Sequence, residues 1–314
     1  MRRRQSIRPS RARALARVVV FSSWGLLAAG GALAQASPPV PPSSSAIAPA
    51  PMPAIAPAAA TVRPDTTTCI DQPARAALRG TLPRLAERLR DGRGATIVTI
   101  GSSSTAGAGA TSIQATYPSR LAVELLRQFP GQSIRVVNSG VNGEEVAEML
   151  RRFKIQVFDY QPDLVVWQVG TNALLRNVDA EAFERGVRDG LERIRSARSD
   201  VILMNLQFAP RVEASAGKQQ MLERIDRLAK VDGVPVFDRY AVMRGWADAL
   251  GRDYHLMIAP DGLHQNDSSY RCLARELASA IGDAVRRADR EVAAADPPRA
   301  GSVGPSLSAR EGRR

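Results

Sequence analysis

Thr96-Ile97-Val98-Thr99-Ile100 is followed directly by Gly101-Ser102-Ser103-Ser104-Thr105, and this junction organises the rest of the chain. Its first half is apolar and β-branched, which predicts a buried strand. Its second half places a glycine and three serines where that strand ends. Ligands of open α/β sheets bind at the carboxyl ends of the strands, so we expect functional residues here. Because serine and glycine also cluster in ordinary turns, the junction alone does not define a site.

Strand and helix patterns alternate along the chain after this junction. Further strands are predicted at residues 134–138, 163–169, 201–205 and 234–237. An amphipathic helix capped by Thr81 is predicted before the first strand. Further helices are predicted from Pro118, over residues 144–157, and around the apolar repeats of Phe183, Met221 and Tyr270, the last of them after the final strand. Residues 207–217 and 251–260 are expected to be irregular. The alternation predicts a parallel sheet with helices on both faces.

Both ends of the chain differ in composition from its middle. An arginine-rich start, an apolar run over 18–34 and Ala32-Leu33-Ala34 predict a signal peptide over residues 1–36. The run is short for a membrane span, which favours cleavage over an uncleaved anchor helix. Residues 37–64 are rich in Pro, Ala and Ser and predict a disordered linker, and residues 293–314 predict a disordered tail. The predicted domain therefore covers residues 65–292 of an exported protein, periplasmic or secreted, without stable membrane insertion.

The net charge of +12 does not indicate nucleic-acid binding. Eight arginines lie within residues 1–64, where no acidic residue occurs, and the rest of the chain carries a net charge of only +4. Aromatic residues are sparse and interleave with no basic run, so a nucleic-acid partner is not expected. The two cysteines, Cys69 and Cys272, are expected to form a disulfide, because paired thiols of an exported protein are usually oxidised.

Three later segments carry side chains that suit a serine nucleophile. They are Asn138-Ser139-Gly140-Val141-Asn142-Gly143, Gly170-Thr171-Asn172 and Asp261-Gly262-Leu263-His264. A serine hydroxyl needs a base, for which a neutral imidazole is suited, and the imidazole needs a carboxylate to orient it. Asp261 and His264 stand three residues apart and can meet on one turn. Donors for a tetrahedral oxyanion can come from Asn172 and from backbone N–H groups of Ser103 and Gly143.

These four segments resemble those of the SGNH hydrolases, also called GDSL esterases/lipases. Gly101 to Thr105 is similar to the Gly-Asp-Ser-x-[Thr/Leu] block, which puts Ser103 at the nucleophile. Asn138 to Gly143 resembles Asn-x-x-x-x-Gly, which makes Gly143 rather than Gly140 the oxyanion-hole glycine. Gly170-Thr171-Asn172 resembles Gly-x-Asn, and Asp261 to His264 resembles Asp-x-x-His. The resemblance implies a three-layer α/β/α, flavodoxin-like fold with a five-stranded parallel sheet.

The resemblance also implies hydrolysis of carboxylic esters without a metal or other cofactor. Acetyl or short-acyl esters, carried by a small molecule or a carbohydrate, are the expected substrates. A lipid or thioester hydrolase, a sugar acyltransferase and a non-catalytic envelope-binding module remain alternatives, as does a metal site at Asp261, His264 and Asp267. The oligomeric state is not predicted. Two positions depart from the family pattern: Ser102 and Ala173 stand where acidic residues are usual.

Overall fold

The computed structural model describes residues 68–295. Its five strands are β1 (Ala95–Gly101), β2 (Ile134–Gly140), β3 (Leu164–Gln168), β4 (Asp200–Met204) and β5 (Val236–Phe237). Its α-helices are α1 (Pro73–Ala76), α2 (Pro83–Arg90), α3 (Ser103–Ala106), α4 (Tyr117–Gln128), α5 (Val146–Gln156), α6 (Thr171–Leu175), α7 (Ala180–Ser196), α8 (Pro210–Glu213), α9 (Lys218–Asp232), α10 (Arg239–Leu250) and α11 (Asp267–Ala295). Short 3₁₀ segments occur at Ile113–Ala115, Phe158–Tyr160 and Gly251–Met257.

The strands form one parallel sheet in the order β2-β1-β3-β4-β5. This order is that of flavodoxin-like folds, in which the chain reverses its winding direction between β1 and β3. Ile97 of β1 lies opposite Val136 of β2 on one side and Leu164 of β3 on the other. The expected three-layer fold with five parallel strands is confirmed.

Alternate residues of each strand pack against opposite helical layers. In β3, Leu164 and Val166 join the apolar cluster formed with α2, α4, α10 and α11, whereas Val165 and Trp167 join the cluster formed with α5, α7 and α9. Successive side chains of a strand point to opposite faces, so a strand buried on both faces is apolar throughout. This explains the continuous apolar run of the third predicted strand.

Several predicted boundaries need correction. Leu82, not Thr81, is the N-cap of α2, and its side chain makes no capping hydrogen bond. Helix α5 starts after Glu145, because Glu145 and Glu148 form a reciprocal capping box. Strand β5 has only two residues. The carbonyl of Pro235, the residue before this strand, accepts a hydrogen bond from the Leu203 N–H. Proline has no N–H, so Pro235 cannot donate a second hydrogen bond to the neighbouring strand.

Two helical segments lie where the sequence predicted irregular chain. Residues 207–217 contain α8, and residues 251–260 contain a 3₁₀ segment. Helix α10 was not predicted at all. At the carboxyl end, α11 continues to Ala295, so residues 293–295 are helical rather than part of the predicted tail. The predicted signal peptide, the linker and the remainder of the tail lie outside the described residues.

Cys69 and Cys272 are joined by a disulfide across 203 residues of sequence. Cys272 is buried on α11, and Cys69 packs against the same apolar cluster. The bond therefore attaches the segment before α1 to the longest helix of the domain. Between residues 68 and 295, none of the helices has the length and apolar character that crossing a membrane requires.

Candidate active site

Ser103 stands at the point where β1 turns into α3. Because it is the first residue of that helix, its N–H has no acceptor within the helix. Its Oγ lies 2.7 Å from Nε2 of His264, which is 161 residues further along the chain. The hydroxyl and the backbone N–H of this one residue are thus both available at the carboxyl edge of the sheet.

The neighbouring serines are committed to buried hydrogen bonds. Ser102 donates through both its N–H and its Oγ to Oε1 of Gln168, at 2.8 and 2.9 Å. Ser104 Oγ accepts a hydrogen bond of 3.0 Å from Nη1 of Arg239. Both serines are at most 2% exposed. Of the three consecutive serines, Ser103 is the one that faces the imidazole.

His264 is held by the turn that begins at Asp261. Oδ1 of Asp261 accepts hydrogen bonds of 2.9 Å from the N–H groups of Leu263 and His264, and its Oδ2 contacts Nδ1 of the His264 ring. Burial opposes ionisation of Asp261, but these hydrogen bonds outweigh it and lower the pKa of the carboxyl from its usual range. The ring is therefore oriented by an ionised carboxylate on one side and faces the Ser103 hydroxyl on the other.

Gly143 and Asn172 come from two further loops at the same edge. Gly143 has a φ of +78°, a left-handed conformation that glycine adopts without strain. Asn172 donates one hydrogen of its Nδ2 to the Glu144 carbonyl at 2.8 Å, which leaves its second amide hydrogen free to meet another acceptor. Gly140 serves a different purpose, because a side chain there would collide with the backbone of Ala106 in α3.

The loop that carries Gly143 is fixed by Arg152 of α5. Arg152 pairs with Glu144 at 2.6 Å and donates to the Ser139 carbonyl at 2.7 Å and to the Gly101 carbonyl at 3.3 Å. One guanidinium thus connects the ends of β1 and β2 to the loop beyond β2. The backbone donor at Gly143 is held relative to the Ser103 turn by this set of contacts.

One cleft of about 380 Å³ brings these groups together. Its lining residues are Ser103, Ala108, Asn142, Gly143, Asn172, Leu175, Arg176, Arg211, Leu263 and His264. A larger cleft of about 610 Å³ lies beside β5, but no serine, cysteine or histidine is among the described residues that line it. The smaller cleft is therefore the candidate active site.

A buried arginine of α10 links the nucleophile loop to the histidine loop. Arg239 is fully buried and donates to Ser104 Oγ, to the Asn205 carbonyl at 3.1 Å and to Gln207 Oε1 at 2.7 Å. Gln207 in turn donates to the Leu263 carbonyl at 3.4 Å. Burial lowers the pKa of Arg239 to about 10, so it remains charged at neutral pH. Sequence reasoning missed this network, because neither Arg239 nor Gln207 belongs to a recognisable motif.

A model of the non-GDSL lipase-like family matches residues 68–287, which is well over half of the 314 residues. The chain belongs to the non-GDSL lipase-like family. The resemblance to SGNH hydrolases is thereby confirmed at the level of the family. An arylesterase of Vibrio mimicus is 26% identical over 98 residues. That match covers 31% of this chain and 48% of the arylesterase, so the chain spans about half the length of this relative.

Solved structures share the fold of this family member. A two-domain esterase active on acetylated mannans aligns with a TM-score of 0.56 at 21% identity, over 67% of this chain and 55% of that chain. Axe2, an acetylxylan esterase from Geobacillus stearothermophilus, aligns with a TM-score of 0.51 at 22% identity, over 60% of this chain and 94% of its own. At these identities the likeness concerns the fold.

The positions that depart from the family pattern have structural explanations. Ser102 uses its hydroxyl to hold Gln168, and Ala173 is buried among apolar side chains. Gln168 is the one polar residue of β3 (Leu164–Gln168) and was detectable in the sequence for that reason. Asp267, part of the alternative metal set, accepts hydrogen bonds from the N–H and the hydroxyl of Thr111 rather than facing His264. Trp167 is fully buried in the core.

Proposed function

We propose that this protein is an exported serine esterase that hydrolyses carboxylic esters through an acyl-enzyme on Ser103. The observation that carries the proposal is the continuous chain of contacts from Ser103 Oγ through the His264 ring to Asp261, in a cleft that Gly143 and Asn172 also line. Nucleophile, base and orienting carboxylate in this arrangement satisfy the geometric requirements for acyl transfer.

In the first half of the reaction, Ser103 Oγ attacks the acyl carbon while Nε2 of His264 takes its proton. Asp261, ionised and hydrogen-bonded to Nδ1, keeps the ring in the tautomer that leaves Nε2 free as a base. It also stabilises the imidazolium that forms. The tetrahedral intermediate then collapses, and His264 returns the proton to the departing alcohol. Water repeats these steps on the acyl-enzyme and releases the acid.

The oxyanion of each tetrahedral intermediate is assigned to three donors: the N–H of Ser103, the N–H of Gly143 and the side-chain amide of Asn172. Each comes from a different post-strand loop, and each is held before substrate binds. Donors arranged in advance stabilise the transition state without the cost of reorganisation. Arg152 and Arg239 act through other residues, by holding the loops that carry these donors and His264.

The substrates are acetyl or other short-acyl esters, carried by a small molecule or a carbohydrate. The fold is shared with esterases described as active on acetylated mannans and acetylxylan. A cleft of about 380 Å³ also suits a short acyl chain with part of an alcohol better than a long lipid chain.

Export is supported by the composition of residues 1–36 and by the Cys69–Cys272 disulfide. Structural disulfides form and persist in oxidising compartments. The proposed location is therefore the periplasm or the exterior of the cell.

The test is hydrolysis of p-nitrophenyl acetate by the purified domain and by its Ser103→Ala variant. We expect the variant to lose about 10⁴-fold or more in kcat/KM, because the nucleophile is absent. Ser112→Ala, the same change at an exposed serine outside the cleft, serves as the matched control and should retain activity. A fluorophosphonate probe should label Ser103 in the wild type. Turnover retained by Ser103→Ala would remove this residue from the proposed role.

A further inference from the structure

Two arginines line the candidate active-site cleft, and neither has a role in the chemistry described above. Arg176 follows α6, the helix that carries Asn172, and Arg211 lies in α8 beside the Asp261 turn. The two approach the cleft from the oxyanion side and from the histidine side. A substrate bound at Ser103 would therefore meet positive charge on both sides.

Arg211 is the less constrained of the two. Its backbone N–H donates to the Gly262 carbonyl at 3.0 Å, and its Cγ is close to Gly262, so its main chain is attached to the turn that positions His264. Its guanidinium makes no hydrogen bond or ion pair with any of residues 68–295. Its five donors are thus available in the fixed fork that binds a carboxylate bidentately.

Arg176 is partly committed. Its Nη1 pairs with Glu145 at 3.0 Å, and 54% of its side chain remains exposed. Its Nη2 is oriented towards Gly143, because a Cβ built on that glycine would lie 3.4 Å from it. Glu145 also accepts a hydrogen bond within the capping box of α5, so the same carboxylate serves both the capping box and the ion pair with Arg176.

The cleft holds little negative charge to balance these cations. None of the described residues that line it carries a carboxylate. Two carboxylates adjoin the lining residues: Glu145, which pairs with Arg176, and Asp261, whose oxygens are occupied by His264 and by the Leu263 N–H. Neither of them pairs with Arg211. The charge of Arg211, which no carboxylate of residues 68–295 pairs with, favours an anionic ligand.

We propose that the cleft selects esters that carry a carboxylate, such as an acylated acidic sugar, and that Arg211 is the main residue that recognises this group. This inference rests on the proposed esterase function and specifies its substrate class. A carboxylate bound by the Arg211 fork and supported by Arg176 would orient the ester against Ser103. Arginine suits this task because its planar guanidinium matches carboxylate geometry.

The experiment uses two esters that differ in one charge: the acetate ester of 4-hydroxybenzoate and the acetate ester of methyl 4-hydroxybenzoate. For each enzyme, kcat/KM is measured on both, and the ratio of the charged to the neutral ester is the readout. Comparison of this ratio between variants cancels the intrinsic reactivities of the esters and any general loss of activity. Arg211→Gln is the test variant. Arg90→Gln removes the same charge from the end of α2, before β1 begins, and is the matched control.

We expect Arg211→Gln to lower the ratio about fivefold, the size associated with one exposed ion pair, and Arg211→Glu to lower it further. Arg211→Lys should restore part of it, and added salt should reduce the ratio more in the wild type than in Arg211→Gln, which retains Arg176. The ratio for Arg90→Gln should equal that of the wild type. A second pair, p-nitrophenyl hydrogen succinate and p-nitrophenyl butyrate, tests whether the carboxylate belongs to the acyl rather than the alcohol part.

A ratio unchanged by Arg211→Gln in both pairs would overturn the inference while leaving the esterase proposal intact. Absence of hydrolysis of all four esters by the wild type would instead contradict the esterase proposal itself. The two failures are thus distinguishable.

Discussion

Polar residues have opposite uses at the two ends of the strands, the amino edge and the carboxyl edge of the sheet. At the amino edge, Asp163 is 5% exposed and accepts the Thr96 N–H at 3.0 Å, while Arg84 and Arg88 each approach its other oxygen at 3.3 Å. At the same edge, Asp200 accepts the Leu85 N–H at 2.9 Å. These carboxylates connect α2 to the starts of three strands.

At the carboxyl edge, polar groups are held in place, but some of them keep hydrogen-bonding capacity that the protein does not satisfy. The Ser103 hydroxyl faces an imidazole, and Asn172 keeps one amide hydrogen free. Two charged residues at this edge, Arg152 and Arg239, hold the loops without lining the cleft, which two other arginines do line. The difference shows that the amino edge uses its polar groups for stability, whereas the carboxyl edge keeps some of them available for a ligand. Substitutions at the two edges should therefore separate activity from stability.

The largest difference between loss of activity and loss of stability is expected at Asp261. Asp261→Asn keeps an oxygen for the two backbone N–H groups but presents an amide to Nδ1, which disfavours the tautomer that the base requires. We expect kcat to fall about 10⁴-fold. The free energy of unfolding, measured by urea titration, should change little. A variant that unfolds in proportion to its loss of activity would contradict the contrast between the edges.

A smaller loss of activity is expected at Asn172. Asn172→Ala removes one proposed oxyanion donor, and we expect kcat to fall about 10²- to 10³-fold, or about 3–4 kcal/mol of transition-state stabilisation. Asn142→Ala is the matched control, since Asn142 lines the same cleft without an assigned donor role. Equal losses in the two variants would argue against the assignment of Asn172.

At the amino edge, Asp163→Asn should have the opposite profile. The amide can still accept the Thr96 N–H but no longer offers charge to Arg84 and Arg88, which remain beside a neutral group. We expect the free energy of unfolding to fall by about 1–3 kcal/mol, with kcat within about twofold of the wild type. Parallel urea titrations and steady-state assays measure both quantities. A loss of kcat at full stability would show that this edge contributes to the site.

The smallest effect concerns the pH dependence of stability at Asp200. Burial raises the pKa of this carboxyl from its ordinary 3.8 to about 6. Between these values the folded state binds the proton more tightly than the unfolded state, so this group lowers the free energy of unfolding as the pH rises through the window. Asp200→Asn removes the titration. Relative to that of the wild type, the free energy of unfolding of Asp200→Asn should rise by about 1–2 kcal/mol between about pH 4 and about pH 7. A difference between the two proteins that stays constant over this range would refute the assignment.

Much of the fold was predictable because its signals are local. Each element shows its own hydrophobic pattern in the sequence. Examples are the β-branched run before Gly101, the apolar run around Trp167 and the leucine repeats of the helices. Helix α10 was not predicted because its apolar positions directly follow a two-residue edge strand. Its start is nevertheless marked by an N-cap, since Asp238 accepts a hydrogen bond of 2.9 Å from the Ala241 N–H. The N-cap at Leu82 was missed because the side chain that accepts a first-turn N–H of α2, that of Asp200, is distant in sequence and bonds the Leu85 N–H at 2.9 Å.

For the candidate site, the sequence by itself determined which short segments carry suitable chemistry and that three of the four follow a strand, the Asp261–His264 segment instead preceding the last helix. The family block already assigned Ser103 as the nucleophile; the tertiary structure added that its hydroxyl faces His264, whereas those of Ser102 and Ser104 make buried hydrogen bonds. It also revealed the buried Arg239–Gln207 network and the open guanidinium of Arg211. The physical reason is that a side chain's partners depend on which loops the sheet brings together, and 161 residues separate Ser103 from His264. Periodicity and spacing record the local backbone, but burial and contact between distant loops exist only after folding.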